Sequence, residues 1–408
     1  MSDDPLHERA ARLDAEDPLR AFRDRFTAPD EVVAYLDGNS LGRPLKATAP
    51  RLAAFVTEAW GGRLIRGWEE AWLAEPERIG DELARVLLGA APGTTVVGDS
   101  TTVLLYKAVR AAIGARPGRR ELVFSPADFP TDRYLLQGVA QELGMRLRPI
   151  EAAADGSVTA ERVAEAVGED TAVVLLSHVA FRSAHIADAA AITAVAHAAG
   201  ALIVWDLSHS VGVVPVELDA WGADLAVGCT YKYLNGGPGA PAFLFAAADL
   251  LPALRPPVQG WIGAAEPFVM GERYEPAPGI RRFLSGTPAI VGMLAVTDML
   301  ALLEEVGIAA VREKSMRLTA FVVEHFDEVL APLWVRLASP RDPAVRASHV
   351  TLDHPAFEEV VPALQARGVI PDFRRPDGLR VGLSPLSTSF AEVAAGMEAV
   401  RQELVARA

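Results

Sequence analysis

Cysteine is almost missing from this 408-residue chain: Cys229 stands alone, which excludes an intramolecular disulfide framework and any cysteine-rich metal cluster. No apolar run approaches the length of a membrane span. The opening residues, MSDDPLHERAARLDAEDPLRAF, read as a charged helical segment and lack both the basic start and the apolar middle of a secretory signal. A reducing, cytoplasmic setting is the expectation. Blocks of basic residues are missing too: Asp and Glu number 53 against 39 Lys and Arg, and the formal charge is -14 with a pI near 5.1. Neither nucleic acid nor an anionic membrane surface is therefore an expected partner. The sequence shows no internal repeat, no low-complexity tract and no residue cluster that calls for a metal.

What the chain has in quantity is apolar side chains, half of all residues. That suffices for a sizeable core in a large domain with a smaller companion. From about Glu121 to Phe245, short apolar runs alternate with helical stretches: ELVFS, DRYLLQGVAQELG, TAVVLLS, AAAITAVAHAAG closed by Gly200, then ALIVWD. This is α/β alternation around a mostly parallel sheet flanked by helices. AFLFA (242–246) follows a GGPG turn directly, so it is expected as an antiparallel neighbour of DLAVGC (224–229). Beyond Pro288 come two long helical patterns, a smaller α/β region ending in GLRVGLSPL, and a last amphipathic helix. The expected division is an N-terminal segment (1–50) packing with the small domain, a large domain (51–289) and a small C-terminal domain (290–408).

The segment from Val204 to Gly239 carries the chemistry. ALIVWD and DLAVGC are short, apolar and bounded by turn residues, as buried parallel strands are; Asp206 and Lys232 fall at or just beyond their carboxyl ends. Ligands bind there in open parallel sheets. A pyridoxal cofactor needs an amine for its aldehyde and a carboxylate for its ring nitrogen, and Lys232 and Asp206 supply the two. A lone lysine or aspartate is ordinarily just solvated. Here Tyr231, Tyr233 and Asn235 surround the lysine, and Gly236, Gly237 and Gly239 follow it, which suits a turn where backbone approaches another group closely. Upstream, GDSTTVLLYKAVRAAIG (98–114) places Ser100 and Thr101 at a helix start. Free N–H groups and hydroxyls make such a start an anion site, although the same residues also describe a plain N-cap.

These motifs resemble those of the kynureninase family along nearly the whole chain: YLDGNSLG (35–42), LIRGW ending at Trp68, DST (99–101), FPTDRY (129–134), WDLSHS (205–210), CTYKYLNGGPG (229–239), GW at 260–261, FLSGTP (283–288), SHV (348–350) and LRVGLSPL (379–386). The resemblance implies a fold type I pyridoxal phosphate enzyme that hydrolyses the Cβ–Cγ bond of kynurenine to anthranilate and alanine, a step of tryptophan catabolism. Residue by residue, it makes Lys232 the Schiff-base lysine and Asp206 the partner of the ring nitrogen. Ser100, Thr101 and Tyr231 then lie at the phosphate, Phe129 stacks on the ring, and Asp132 and His209 stand close to it. Arg380 takes the substrate carboxylate, with Ser40 and Trp68 also on the substrate. Trp261 and Thr287 come from a neighbouring subunit, so a homodimer with a shared active site is implied. Tyr231 is either a proton relay or only a phosphate ligand; His209 is a structural histidine or an acid/base; Asp132 is also a possible N-cap of the helix it opens.

The chain departs from the family's usual residues at Ala180, Ala184, Ile262, Ala264 and Ser387, in segments expected near the substrate. Trp68 and Thr287 follow the bacterial pattern, which favours kynurenine over 3-hydroxykynurenine or another ring-substituted kynurenine. Two rival readings are another fold type I enzyme, such as a cysteine desulfurase or an aminotransferase, and a non-catalytic protein on the same scaffold. Cys229, only three positions before Lys232, is badly placed for the mobile nucleophile a desulfurase requires.

Overall fold

The computed structural model describes residues 5–153 and 156–407. Its larger sheet contains β2 (Thr95–Gly98), β3 (Glu121–Phe124), β4 (Arg146–Pro149), β5 (Thr171–Ser177), β6 (Leu202–Asp206), β7 (Leu225–Gly228) and β8 (Ala242–Ala246). They lie in the order β2-β8-β7-β6-β5-β3-β4. Only β8 runs against its neighbours, as its direct exit from the GGPG turn requires: a parallel strand would need a long crossover. Alternate residues feed opposite faces. Val174, Leu176, Ile203, Trp205 and Ala226 enter one apolar cluster, while Val173, Leu175, Leu202, Val204, Leu225 and Val227 enter the other. Both faces are covered, hence the nearly continuous apolar runs in the sequence.

The smaller sheet has the order β1-β11-β12-β10-β9, formed by β1 (Ala34–Leu36), β9 (Arg336–Leu337), β10 (His349–Asp353), β11 (Val369–Arg374) and β12 (Gly378–Gly382). The N-terminal segment joins this sheet and the helix Phe390–Val405. β1 pairs in parallel with β11, and Asp14, in the first helix α1 (Pro5–Ala15), accepts the N–H groups of Phe390 and Ala391 at 3.1 and 3.0 Å. A carboxylate at that position satisfies donors that a helix start leaves open.

Apolar packing crosses the expected boundary at 290. The apolar side chains Met293, Val296, Met299 and Leu303 of the helix Ile290–Val306 enter the large domain's cluster, as does Val311 of the next helix, Ile308–His325. Leu318, Phe321 and Val322 of that second helix join the small domain's cluster instead. The changeover lies inside one helix because its two halves bury their apolar faces against different layers, and a helical period alone does not say which layer a face meets.

Candidate active site

β6 and β7 are adjacent and parallel, with Asp206 opposite Val227, so Asp206 and the segment 229–232 emerge on the same end of the sheet. Asp206 is buried, and one of its oxygens accepts the N–H of Ser208 at 2.8 Å. The Lys232 ammonium is nearly buried and lies 3.3 to 3.4 Å from the ring nitrogens of His209 and 5.9 Å from the ring centres of both Phe129 and Tyr231. YLDGNSLG docks on this turn. Gly42 donates to the Tyr231 carbonyl at 3.0 Å, and a Cβ at Gly42 would strike the Lys232 carbonyl. Asn235, at φ +51°, donates to the Arg43 carbonyl at 2.6 Å.

The loop after β3 brings the aromatic and acidic groups. Phe129 precedes the helix Pro130–Leu143 and meets Phe181 edge-on with centroids 5.6 Å apart. Asp132 is not the cap of that helix. It sits in the first turn, buried, with one carboxylate oxygen lacking a partner among the described residues. Burial, followed by the charges of Asp206 and Asp128, pushes its carboxyl well above the usual range, against the pull of Lys232. Asp128, which the sequence reading did not single out, is also buried. It accepts the Ser177 N–H at 3.2 Å, and burial outweighs that bond to push it up to about 7.

Histidine is kept neutral here. Burial first, then Lys232, Arg380 and His349, hold His209 well below its ordinary range. His349 was also missed; it is fully buried with its ring 5.8 Å from that of His209. Its only sequence signal was an unexplained histidine within SHV. Arg380 is 1% exposed and donates to Ser40 Oγ at 2.9 Å and to the Phe181 carbonyl at 2.7 Å, with Asp372 at 2.6 Å. Ser40 and Arg380 are thus brought together from opposite ends of the chain.

A pocket of about 450 Å³ is lined by Asp99, Ser100, Tyr231 and Thr287, among others. Ser100 precedes the helix Thr101–Gly114, but its side chain makes no capping bond. The first-turn N–H groups of a helix have no partners within the helix itself. Thr287 already lines this pocket within one chain, although it was expected from a neighbour. The two tryptophans are elsewhere. Trp68 meets Trp72 edge-on at 5.3 Å and packs on the large core, and Trp261 meets Phe268 at 5.9 Å beside a separate pocket of about 790 Å³. Among the described residues, no hydrogen bond or ring contact joins either to the Lys232 group.

Of the departing residues, Ala184 is buried and keeps φ +66°, where a glycine is at ease. Ile262 and Ser387 are buried, the former in the large domain's core. Ala264 pairs with Pro276 in an isolated bridge, and Ala180 accepts the Ala184 N–H at 2.9 Å. Among the described residues no group of acidic, histidine or cysteine side chains is arranged to hold a metal, and no helix is long and apolar enough to cross a membrane.

Compared with known proteins, the chain is 43% identical over 389 residues to a kynureninase of Pseudomonas fluorescens, covering 93% of this chain and 91% of that one. The chain belongs to the kynureninase family. It is 41% identical to the kynureninase of Deinococcus radiodurans, covering 96% of this chain and 95% of the relative. Residues 311–400 match the family described as the kynureninase C-terminal domain, a span that begins where the packing changes layers. Among solved structures the fold is similar to a cysteine desulfurase of Thermococcus onnurineus NA1 (TM-score 0.82, 20% identity, 95% of this chain and 98% of that one). It is also similar to C-DES, a structure of which carries glycine covalently linked to its PLP cofactor (TM-score 0.80, 18% identity, 93% and 98%). At such identities the likeness shows the pyridoxal phosphate fold type I architecture and no more. The desulfurase chemistry has no thiol here: Cys229 is buried, and burial raises its pKa, which withholds the thiolate.

Proposed function

We propose that Lys232, Asp206, Asp132, Ser100, Thr101, Tyr231 and Phe129 hold the pyridoxal phosphate with which this family member hydrolyses kynurenine to anthranilate and alanine. The observation that carries the reading is the pairing of Asp206 and Lys232 at the same end of adjacent parallel strands, beside a buried Asp132 oxygen that has no partner among the described residues. The residues fit the cofactor: an amine, a buried carboxylate, an aromatic ring near the amine, and a helix start that Ser100 does not cap with its side chain. When bound, the cofactor supplies an electron-withdrawing ring that accepts charge from the carbon bearing the substrate's amino group.

The chain's own groups do the rest. Lys232 holds and moves the proton of that carbon. Neutral His209, within 3.4 Å of its Nζ, accepts a hydrogen bond from the ammonium and keeps it aimed. Asp206, fixed by the Ser208 N–H, keeps the ring nitrogen protonated. Tyr231 remains a phenol, since burial and then Cys229 push it above its ordinary value; it donates to the phosphate or returns a proton to the substrate. Arg380 binds the substrate carboxylate, with Ser40 Oγ as the partner most readily exchanged, because the hydroxyl is a neutral ligand and Asp372 is not. Water adds to the aryl ketone, and the Cβ–Cγ bond breaks in the collapse that follows.

Trp261 completes the site from a second copy in a homodimer; Thr287, expected from that copy too, lines the Ser100 pocket of its own chain. The supporting fact is that Trp261 and Phe268 stand exposed, away from Lys232 of their own chain. In assays run in parallel with kynurenine and 3-hydroxykynurenine, anthranilate from the first is expected to form at the higher kcat/KM. Preferential turnover of the hydroxylated substrate would contradict the bacterial-type reading.

A further inference from the structure

Lys107 is a charged residue on an otherwise apolar face. It lies in the helix Thr101–Gly114 among buried Leu104, Leu105 and Ala108, and its side chain is wholly buried. Its side chain leans toward the helix start, as helical side chains do. The ammonium donates to Asp99 Oδ2 and to the Phe283 carbonyl, both at 2.6 Å, and to Ser285 Oγ. A lysine has three N–H donors, and all three are used. Lys107 therefore has none left for a ligand.

Its partners are two pieces of the phosphate pocket. Asp99 and Ser100 form one wall and the stretch Leu284–Ala289, carrying Thr287, forms the other. Asp99 holds a left-handed backbone, φ +44°, uncommon away from glycine. Its carbonyl is tied to Ala242 at 3.0 Å. The 283–288 stretch is pressed on the same loop, since a Cβ at Gly98 would strike Leu284. It also receives the turn bearing Trp261, through Ile262 N–H to Ser285 O at 3.3 Å. An uncompensated Asp99 carboxylate would face a phosphate monoester of nearly two negative charges, and like charges at close range repel.

We propose that Lys107 is a positioning residue for the phosphate cup. It cancels the charge of Asp99 and clamps the 283–288 stretch over the helix start, so that the cup accepts a phosphate monoester. The inference rests on the assignment of this pocket to the cofactor phosphate and adds residues that no ligand touches.

The test compares wild type, Lys107→Met, Asp99→Asn and the double variant, each stripped of cofactor and titrated by absorbance with pyridoxal phosphate and with pyridoxal, which lacks the phosphate. Melting with and without millimolar inorganic phosphate is followed alongside. Lys107→Met should weaken pyridoxal phosphate at least 30-fold and pyridoxal less than 3-fold, and should abolish stabilisation by inorganic phosphate. Adding Asp99→Asn should restore at least a third of the lost factor on a logarithmic scale. Asp99→Asn alone should bind pyridoxal phosphate as tightly as wild type or tighter. Equal loss for the two aldehydes, no loss at all, or a tenfold phosphate-selective loss in Asp99→Asn alone would overturn the proposal. If Lys107→Met does not fold, Asp99→Asn and the charge-balanced double variant decide it. Phosphate stabilisation that depends on Lys107 in a protein that ignores pyridoxal phosphate would sink the cofactor assignment and keep the clamp; the reverse result would do the opposite.

Discussion

Around Lys232 the groups delivered by the ends of β3, β6 and β7 meet inside one chain, with side chains a few ångströms apart. Trp68, expected on the substrate, and Trp261, expected at a neighbour's cofactor, sit instead on short helical turns away from this group, one packed on the core and the other exposed beside Phe268. The difference teaches where each half of the chemistry is specified. Strand ends in a sheet buried on both faces have little freedom, so the cofactor half is preformed. Short turns outside the sheet are less constrained, and Trp261 reaches the surface on one of them.

The largest effect should come from a subunit-mixing experiment. Lys232→Ala should lower turnover by at least about 10⁴-fold, and Trp261→Ala should lower kcat/KM by about 10²-fold. Refolding the two variants together should recover roughly a quarter of wild-type activity if Trp261 serves the partner's site, because half the dimers then carry one intact site. No recovery would return Trp261 to its own chain and break the comparison. A smaller effect is expected at Arg380, where Lys keeps the charge and loses the fork. Arg380→Lys should raise KM by about 10 to 100-fold with a lesser change in kcat, read from steady-state rates; an unchanged KM would remove Arg380 from the substrate.

The preformed half can also be probed by pH. Asp128 keeps its proton up to about pH 7 when folded, well above the ordinary carboxyl value of 3.8 that applies to the unfolded chain. The folded state thus binds the extra proton within that window, and stability falls as pH rises through it. Asp128→Asn removes this contribution. In urea unfolding of cofactor-free protein, the variant should gain about 2 kcal/mol on wild type between pH 5 and pH 7.5; a constant difference would mean that Asp128 ionises normally. The smallest effect belongs to Ala184: replacing it by Gly relieves the left-handed backbone at φ +66° and should raise stability by less than about 1 kcal/mol, visible as a small increase in Tm.

The same contrast governs how far the sequence could be read. The α/β alternation, the antiparallel β8 and the Asp206 and Lys232 pair were all legible, because each follows from local period and turn residues. Arg380 and Ser40 were named only through family motifs, since no local pattern joins residues from opposite ends of the chain. Asp128, His349 and Lys107 were not legible at all: a buried polar residue looks like any other until the fold shows what faces it. The helix Ile290–Val306 was legible as a helix, but the layer its apolar face meets was not, for the same reason.

Lys232 is the residue on which the proposed chemistry depends. Borohydride reduction of the protein loaded with pyridoxal phosphate, followed by digestion and mass spectrometry, should find the pyridoxyl group on Lys232 and nowhere else. A label on Lys107 or on any other lysine, or no label in a protein that still releases anthranilate from kynurenine, would contradict it.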